Sequence, residues 1–159
     1  MPIELTRIDN RLLHGQVAVT WSHHANANLI VIADDEVAQD EMAKNLMAMS
    51  AGNTDSRFFS IQQTIDVIQK ASPEQRIFLV VRNPQNVLRL VEGGVPITNL
   101  NIGNMHFEEG KNQVHITVSL DSDDMAAFAK LKEYGVTMSV QRTPSEEKLD
   151  IFELASEVA

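Results

Sequence analysis

The sequence predicts an α/β fold with a mostly parallel, open sheet and helices on both faces. Apolar, strand-like runs alternate with segments of helical period along the whole chain. The runs at residues 28–33 and 76–81 are nearly continuous in apolar residues, which is typical of parallel strands covered on both faces. A length of 159 residues, with no linker or repeat, predicts one domain over residues 1–159.

The strands follow from composition and alternation. They are predicted at residues 3–8, 28–33, 57–60, 76–81, 99–102, 114–120 and 136–140. Residues 114–120 alternate strictly between apolar and polar side chains, which predicts one strand with a wet face near the sheet edge.

Helices are predicted between the strands, at residues 15–25, 36–50, 61–70, 83–94 and 122–134. In the helix 36–50, one apolar stripe contains Ala38, Met42, Leu46 and Met49. The helix after residue 82 has explicit end signals, which are the cap Asn83, Pro84 at the first position and the terminating pair Gly93 and Gly94. A capping box of Thr143 and Glu146 predicts the start of a C-terminal helix.

Composition and missing motifs exclude several functions. The chain has no cysteine, so thiol chemistry and disulfides are excluded, and its net charge of −9 argues against nucleic acid as a partner. The first residues show no signal peptide, and the longest apolar runs are too short to span a bilayer. The usual nucleotide-binding loops and the GxSxG elbow are absent. His23 and His24 are adjacent and cannot easily share a metal, so no metal site is predicted.

In a parallel α/β sheet, ligands bind beyond the carboxyl ends of the strands. Candidate residues therefore concentrate in the loops at 9–16, 34–36, 82–83 and 103–106.

The loop at 9–16 combines several features that suit phosphoryl transfer. His14 lies at the predicted start of a helix, where free N–H groups and the helix dipole favour an anion. Arg11, three residues earlier, offers a guanidinium fork for phosphate, and Gly15 permits a close backbone approach. Phosphoryl transfer to an imidazole needs positioning and charge stabilisation rather than a strong base. From spacing alone, an ordinary turn histidine with a surface arginine remains the alternative.

The segment RIDNRLLHGQVAVTW resembles the phosphorylation-site segment of the IIB components of the bacterial sugar phosphotransferase system, mannose/sorbose family. The segments IVIADDEVAQDEMAKNLM and VEGGVPITNLNIGNMHFEEGKNQV extend the resemblance over essentially the whole chain. The last segment is similar to the N-acetylgalactosamine branch in particular. The family fold implies antiparallel strands near the C-terminal end.

The resemblance implies specific roles. His14 is the phosphohistidine, accepting at Nδ1, and Arg11 binds the phosphoryl oxygens with the backbone N–H groups of Gly15 and Gln16. Asp9 and Asn10 support the loop; that Asp9 orients the loop or His14 is our own inference.

The resemblance also implies partners and a place of work. The donor is a IIA protein or domain, and the acceptor is a sugar held by the membrane subunits IIC and IID. N-acetylgalactosamine or a related amino sugar is the favoured substrate. No cofactor or metal is required, and the protein is expected in the cytoplasm, docking transiently at the inner face of the membrane.

Weaker candidates lie at other strand ends. Arg82 and His106 are candidates for the same crevice, with a surface cation and a structural loop histidine as the alternatives. Asp34 and Asp35 are expected to cap the next helix rather than to shape the site, and Trp21 and Met105 are expected to be core residues.

We also hypothesise that Leu12 and Leu13 are partly exposed and pack against partner proteins. Three alternative functions remain for the chain: a non-catalytic module that binds phosphoryl groups or other anions, a regulatory module phosphorylated on histidine, and, less well supported, a metal-dependent hydrolase.

Overall fold

The computed structural model describes residues 2–158, and its elements alternate as the sequence predicts. The strands are β1 (Ile3–Asp9), β2 (Leu29–Ala33), β3 (Asp55–Phe59), β4 (Ile77–Val81), β5 (Asn99–Asn104), β6 (Asn112–His115), β7 (Val118–Leu120) and β8 (Thr137–Val140). The helices are α1 (Val17–His24), α2 (Glu41–Ser50), α3 (Ile61–Val67), α4 (Pro84–Glu92), α5 (Ser122–Glu133) and α6 (Ile151–Val158).

Six strands form one parallel sheet in the order β3-β2-β4-β1-β5-β8. The strands β6 and β7 form a separate antiparallel pair. The predicted fold class, a mainly parallel α/β sheet with an antiparallel element towards the C-terminal end, is therefore confirmed. None of the helices in residues 2–158 combines the length and the apolar composition needed to cross a membrane.

The sheet separates two hydrophobic cores because successive strand residues point to opposite faces. On β4, Ile77, Leu79 and Val81 enter one core, whereas Phe78 and Val80 enter the other. The first core contains buried residues of α3, α4, α5 and α6. The second contains α1, the residues around α2, and two leucines of the loop after β1. The ends of α4 are as predicted, since the Asn83 side chain accepts from the Asn86 N–H at 2.8 Å and Gly93 ends the helix.

The predicted helix 36–50 is wrong in its bounds. Residues Val37–Gln39 form a short 3-10 turn, and Asp40 adopts an extended backbone before α2 begins. The Asp40 carboxylate accepts from the Ala43 N–H at 3.0 Å, so it caps α2 and separates the two pieces.

The apolar stripe of α2 faces away from the core. Met42, Leu46 and Met49 are 73%, 62% and 79% exposed, whereas Ala43 and Met47 pack against the second core. The helical period correctly predicts which residues share a face, but the sheet contacts the neighbouring face.

Residues 114–120 form two strands rather than one. The chain turns at Ile116 and Thr117 between β6 and β7, and Ile116 is 71% exposed. The His115 side chain accepts from the Thr117 N–H at 3.3 Å within this turn. The alternation of apolar residues therefore passes through a chain reversal that the pattern does not reveal.

The predicted start of the C-terminal helix is also wrong. The Glu146 N–H bonds the Thr143 carbonyl at 3.1 Å in a turn, and the Glu146 side chain is engaged by Arg142 instead of capping. The helix α6 begins after Asp150, whose carboxylate accepts from the Phe152 N–H at 2.7 Å.

Candidate functional site

The loop between β1 and α1 starts from a central position in the sheet. β1 lies between β4 and β5, and it ends at Asp9 on the carboxyl edge of the sheet. The Asn10 N–H bonds the Asn104 carbonyl at 3.0 Å, which ties the first residue of the loop to the end of β5. The loop therefore leaves the sheet at the edge where α/β proteins bind their ligands.

Leu12 and Leu13 anchor this loop from below. Both are only 3% exposed and belong to the second core, so the hypothesis that they are partly exposed for partner proteins is wrong. The Leu12 N–H bonds the Asp9 carbonyl at 2.9 Å, and Leu12 has a φ of +60°, which is uncommon for a residue with a side chain. Burial of both leucines fixes the backbone from which the remaining loop residues project.

His14, Gly15 and Gln16 lie on the exposed side of the loop, just before α1. Gln16 is the N-cap residue of α1, but no side chain caps this end of the helix. The first N–H groups of α1 therefore have no partner within the helix and are available to an anion. Gly15 has a φ of +54° and open space around its Cα, so its backbone conformation, and not crowding, favours glycine.

Arg11 is held by Asp9. Its Nε lies 3.1 Å from Oδ1 of Asp9 and its Nη2 lies 3.1 Å from Oδ2, and the Arg11 N–H also donates to Oδ1 at 3.0 Å. Asp9 is 1% exposed, whereas the Arg11 side chain is 38% exposed. The Nη1 donors of Arg11 remain available to a ligand, because the bonds to Asp9 use Nε and Nη2.

Sequence reasoning missed Arg7, which lies beneath this pair. Arg7 is 2% exposed, and its Nη2 lies 3.4 Å from the same Oδ2 of Asp9. Burial lowers the pKa of the Arg7 guanidinium, and the neighbouring Asp9 carboxylate partly opposes that shift. The available signal was a charged residue two positions before Asp9 in a central strand, a spacing that puts both side chains on one face.

Arg82 reaches the loop from the end of β4. Its Nη1 donates to the Asn10 carbonyl at 3.3 Å, while Nε and Nη2 hold the buried Asp34 carboxylate at 2.9 Å each. The hydrogen bonds to Asp34 raise the pKa of the Arg82 guanidinium.

Asp34 also accepts from the Val37 N–H at 3.1 Å and so caps the following turn as expected. Asp35 instead accepts from the Ile61 N–H at 2.9 Å, at the start of α3.

Two concave surfaces border the loop. A cavity of about 340 Å³ is lined by Asn10, Arg82 and His106 together with residues near the start of α5. A groove of about 410 Å³ lies between Gly15 and Gln16 on one side and the end of α2 on the other. His106 is more than half exposed, and its Nε2 lies 3.3 Å from Oε1 of Glu108.

The other predicted residues lie outside the exposed part of the loop. Trp21 and Met105 are buried, at 2% and 4% exposure, as core residues should be. No group of three or more His, Cys, Asp or Glu side chains suited to a metal ion is found within residues 2–158. His23 and His24 are both exposed, on the last turn of α1.

This geometry provides a nucleophilic imidazole, a cation and a helix N-terminus on one short loop. The imidazole of His14 is accessible to a second molecule, and Arg11 is fixed by a carboxylate without losing all of its donors. Such an arrangement can accept a phosphoryl group on nitrogen and stabilise the charge on its oxygens.

Comparison with known proteins gives the family. Residues 3–158 match the model of the PTS system sorbose subfamily IIB component. The chain is 48% identical over 151 residues to the N-acetylgalactosamine-specific phosphotransferase enzyme IIB component 1 of Escherichia coli K12, covering 94% of this chain and 96% of the relative. It is 37% identical to the sorbose-specific EIIB component of Lacticaseibacillus casei, over 99% of this chain and 98% of the relative.

Solved structures agree. The N-acetylgalactosamine-specific IIB component 1 from Escherichia coli superposes with a TM-score of 0.89 at 47% identity, over 94% of this chain and 99% of that one. The IIBSor domain of the sorbose permease from Klebsiella pneumoniae superposes with a TM-score of 0.92 at 36% identity, over 100% and 99%. The chain therefore belongs to the sorbose subfamily of IIB components of the phosphotransferase system, a family of sugar phosphotransferases.

Proposed function

We propose that this chain carries a phosphoryl group on His14 between a IIA protein or domain and a sugar. The observation that supports the proposal most directly is the exposed His14 beside the uncapped N-terminus of α1, on a loop whose Arg11 is fixed by Asp9. Transfer between two histidines needs little more than in-line positioning and stabilisation of charge on the phosphoryl oxygens.

The step balances without a cofactor. The lone pair of His14 Nδ1 attacks phosphorus while the N–P bond of the donor phosphohistidine breaks, and the donor nitrogen keeps the electron pair. The donor ring takes up one proton from solvent and the His14 ring releases its Nε2 proton to solvent, so atoms and charge balance. Arg11 and the backbone N–H groups of Gly15 and Gln16 bind the equatorial oxygens, with Asp9 and Asn10 supporting the loop. Arg82 acts more remotely, through its bond to the Asn10 carbonyl.

The sugar is N-acetylgalactosamine or a related amino sugar. The 48% identity to two N-acetylgalactosamine-specific components of Escherichia coli supports this choice over sorbose or mannose, for which the relatives are 36–39% identical. The sugar is held by the membrane subunits IIC and IID, so the chain works in the cytoplasm and docks transiently at the inner face of the membrane.

Intact mass spectrometry tests the carrier step. The purified chain is incubated at neutral pH with phosphoenolpyruvate, the general phosphotransferase proteins and a matching IIA, in parallel with His14→Ala. The proposal expects one acid-labile phosphoryl adduct on the wild type and none on the variant. No adduct on the wild type, with the same partners active on another IIB component, would favour the anion-binding module instead.

A second experiment tests the sugar. Phosphorylated chain is mixed with membranes that contain the cognate IIC and IID subunits, and either N-acetylgalactosamine, sorbose or mannose is added. Loss of the adduct with formation of a sugar phosphate is expected with N-acetylgalactosamine. Discharge by none of the sugars, with an intact phosphohistidine, would favour the regulatory module.

A further inference from the structure

The proposed phosphate clamp consists of Arg11 and the backbone N–H groups of Gly15 and Gln16. A buried cation, Arg7, contacts the aspartate that holds this clamp. The Arg7 guanidinium contacts Oδ2 of Asp9, the oxygen that also accepts from Nη2 of Arg11. One carboxylate thus joins two guanidinium groups, one buried and one partly exposed. The side chains of Arg7 and Asp9 have only 3% and 2% of their surface exposed, so water screens this contact weakly.

The charge of this cluster differs from that of a simple ion pair. A pair of Asp9 and Arg11 alone would be neutral, and the carboxylate would cancel most of the field of Arg11 at the loop. With Arg7, two positive groups face one negative group, and one net positive charge remains. Asp9 can therefore fix Arg11 in place without cancelling the attraction of the loop for an anion.

The surroundings of Arg7 are shaped for a guanidinium. Its Nη1 donates to the Asn101 side chain at 2.5 Å and approaches the Gln141 carbonyl at 3.4 Å, and its Cζ lies 5.2 Å from the centre of the Trp21 ring. A Cβ at Gly103 would overlap the guanidinium, so the glycine leaves the space that Arg7 fills.

We propose that Arg7 is a positioning residue that keeps the clamp net positive, so that Asp9 can hold Arg11 ready for the phosphoryl group. This inference rests on the proposed carrier function of His14. Arg7 does not touch the phosphoryl group and acts only through Asp9. If Arg7 only held β1 to the end of β8, the rate of His14 phosphorylation would not depend on the net charge of the cluster.

Variants of Arg7 and Asp9 separate charge from structure. Arg7→Gln makes the cluster neutral, whereas the double variant Arg7→Gln with Asp9→Asn restores one net positive charge. We expect phosphorylation of His14 by phospho-IIA to slow by about tenfold in Arg7→Gln. The double variant should recover about threefold of that loss and not the full rate, because an asparagine at position 9 has one acceptor oxygen and cannot hold Arg11 by a fork. Arg7→Lys keeps the charge and should lie close to the wild type.

Variants of Asn101 give a matched control that leaves Arg7 in place. Asn101→Ala loses the bond from Arg7 and the 3.0 Å bond to the Gln141 carbonyl, but it keeps the net charge. Asn101→Asp loses the same bond to the Gln141 carbonyl, but it keeps an acceptor for Arg7 and neutralises the cluster. Electrostatic positioning predicts slower phosphorylation in Asn101→Asp than in Asn101→Ala, whereas a structural role predicts the reverse order. Thermal unfolding of each variant checks that it is folded.

A readout without the donor protein distinguishes the two proposals. Inorganic phosphate is titrated at constant ionic strength, and the amide shifts of Gly15 and Gln16 report its affinity. If the affinity for inorganic phosphate follows the net charge of the cluster, Arg7 keeps the clamp positive. This result would stand even if neither the wild type nor the variants take up a phosphoryl group and the carrier proposal fails. Phosphorylation and phosphate binding that are unchanged in folded Arg7→Gln and Asn101→Asp would overturn the inference and leave the carrier function intact.

Discussion

The ends of β1 and β2 each carry a buried aspartate that binds an arginine by two hydrogen bonds. At the end of β2, Asp34 binds Arg82 at 2.9 Å on both oxygens. At the end of β1, Asp9 binds Arg11 at 3.1 Å on both oxygens, and it also contacts Arg7. In the first cluster the exposed Glu36 also lies 3.9 Å from Arg82, so no excess positive charge is left, whereas the second cluster retains one positive charge.

The difference in net charge indicates that the same aspartate–arginine contact has a different role in each cluster. The pair of Asp34 and Arg82 joins the ends of β2 and β4. It also binds the Val37 N–H in the turn after β2 and the Asn10 carbonyl in the loop after β1. The cluster around Asp9 supports an arginine that is 38% exposed next to the proposed phosphoryl acceptor. A cluster without excess positive charge suits a structural contact, and an excess positive charge suits the binding of a phosphoryl group.

Arg7, Asp9 and Arg11 form the β1 cluster, and Asp34 and Arg82 form the β2 cluster. The largest effect is expected at Arg11, the exposed arginine of the β1 cluster. Arg11→Gln should slow phosphorylation of His14 by about 100-fold or more, because it removes a charged donor to the phosphoryl oxygens. Arg11→Lys should lie between Gln and wild type, because a lysine cannot hold Asp9 by a fork and donate to the ligand as well. Single-turnover phosphorylation by phospho-IIA measures the rates.

The same variants should leave folding nearly intact. The buried Asp9 carboxylate keeps Arg7 as a cation when Arg11 is replaced, so we expect a loss of less than about 1 kcal/mol in the free energy of unfolding. A rate for Arg11→Gln equal to that of the wild type would remove Arg11 from the phosphate clamp.

At the β2 cluster the main effect should be on stability. Arg82→Gln leaves the Asp34 carboxylate, which is 3% exposed, without its cation. A loss of about 2 kcal/mol in the free energy of unfolding is expected, less than for a fully buried pair because Arg82 is 33% exposed. Urea denaturation at neutral pH measures it.

The double variant Arg82→Gln with Asp34→Asn serves as the control for this cluster. It removes the unpaired charge, so part of the lost stability should return. If both variants are equally destabilised, the loss comes from packing and hydrogen bonds, and the ion pair contributes little.

Local patterns predicted most of the fold. The buried strands β2 and β4 are continuous apolar runs, and the ends of α4 are marked by Asn83, Pro84 and Gly93. Where prediction failed, the missing information was tertiary. The period of α2 identifies a stripe with Met42 and Met49, but which face the sheet contacts depends on how the chain enters the helix.

The exposed residues of the candidate site were all predicted, whereas of its two buried charged residues Asp9 was predicted and Arg7 was missed. His14, Arg11 and Gly15 follow from the loop sequence, and the structure places all three on one exposed turn. The burial of Leu12 and Leu13 depends on a positive φ at Leu12, which no sequence pattern indicates. Arg7 could have been singled out as a charge within a central strand, but its link to Arg11 through Asp9 becomes visible only with the side chains in place.

The smallest effect is expected at Asp35, next to the β2 cluster but outside it. The bond from the Ile61 N–H lowers the pKa of the Asp35 carboxyl, and the exposed Arg89 contributes less. A carboxyl whose pKa is lowered by folding stabilises the protein above its unfolded pKa, and this contribution is lost as the pH falls through the folded value. Asp35→Asn should therefore lower stability by less than about 1 kcal/mol at neutral pH, since the side chain is half exposed, and by almost nothing at acidic pH. Urea denaturation of wild type and variant at several pH values measures the difference, and a gap that widens on acidification would contradict the assignment.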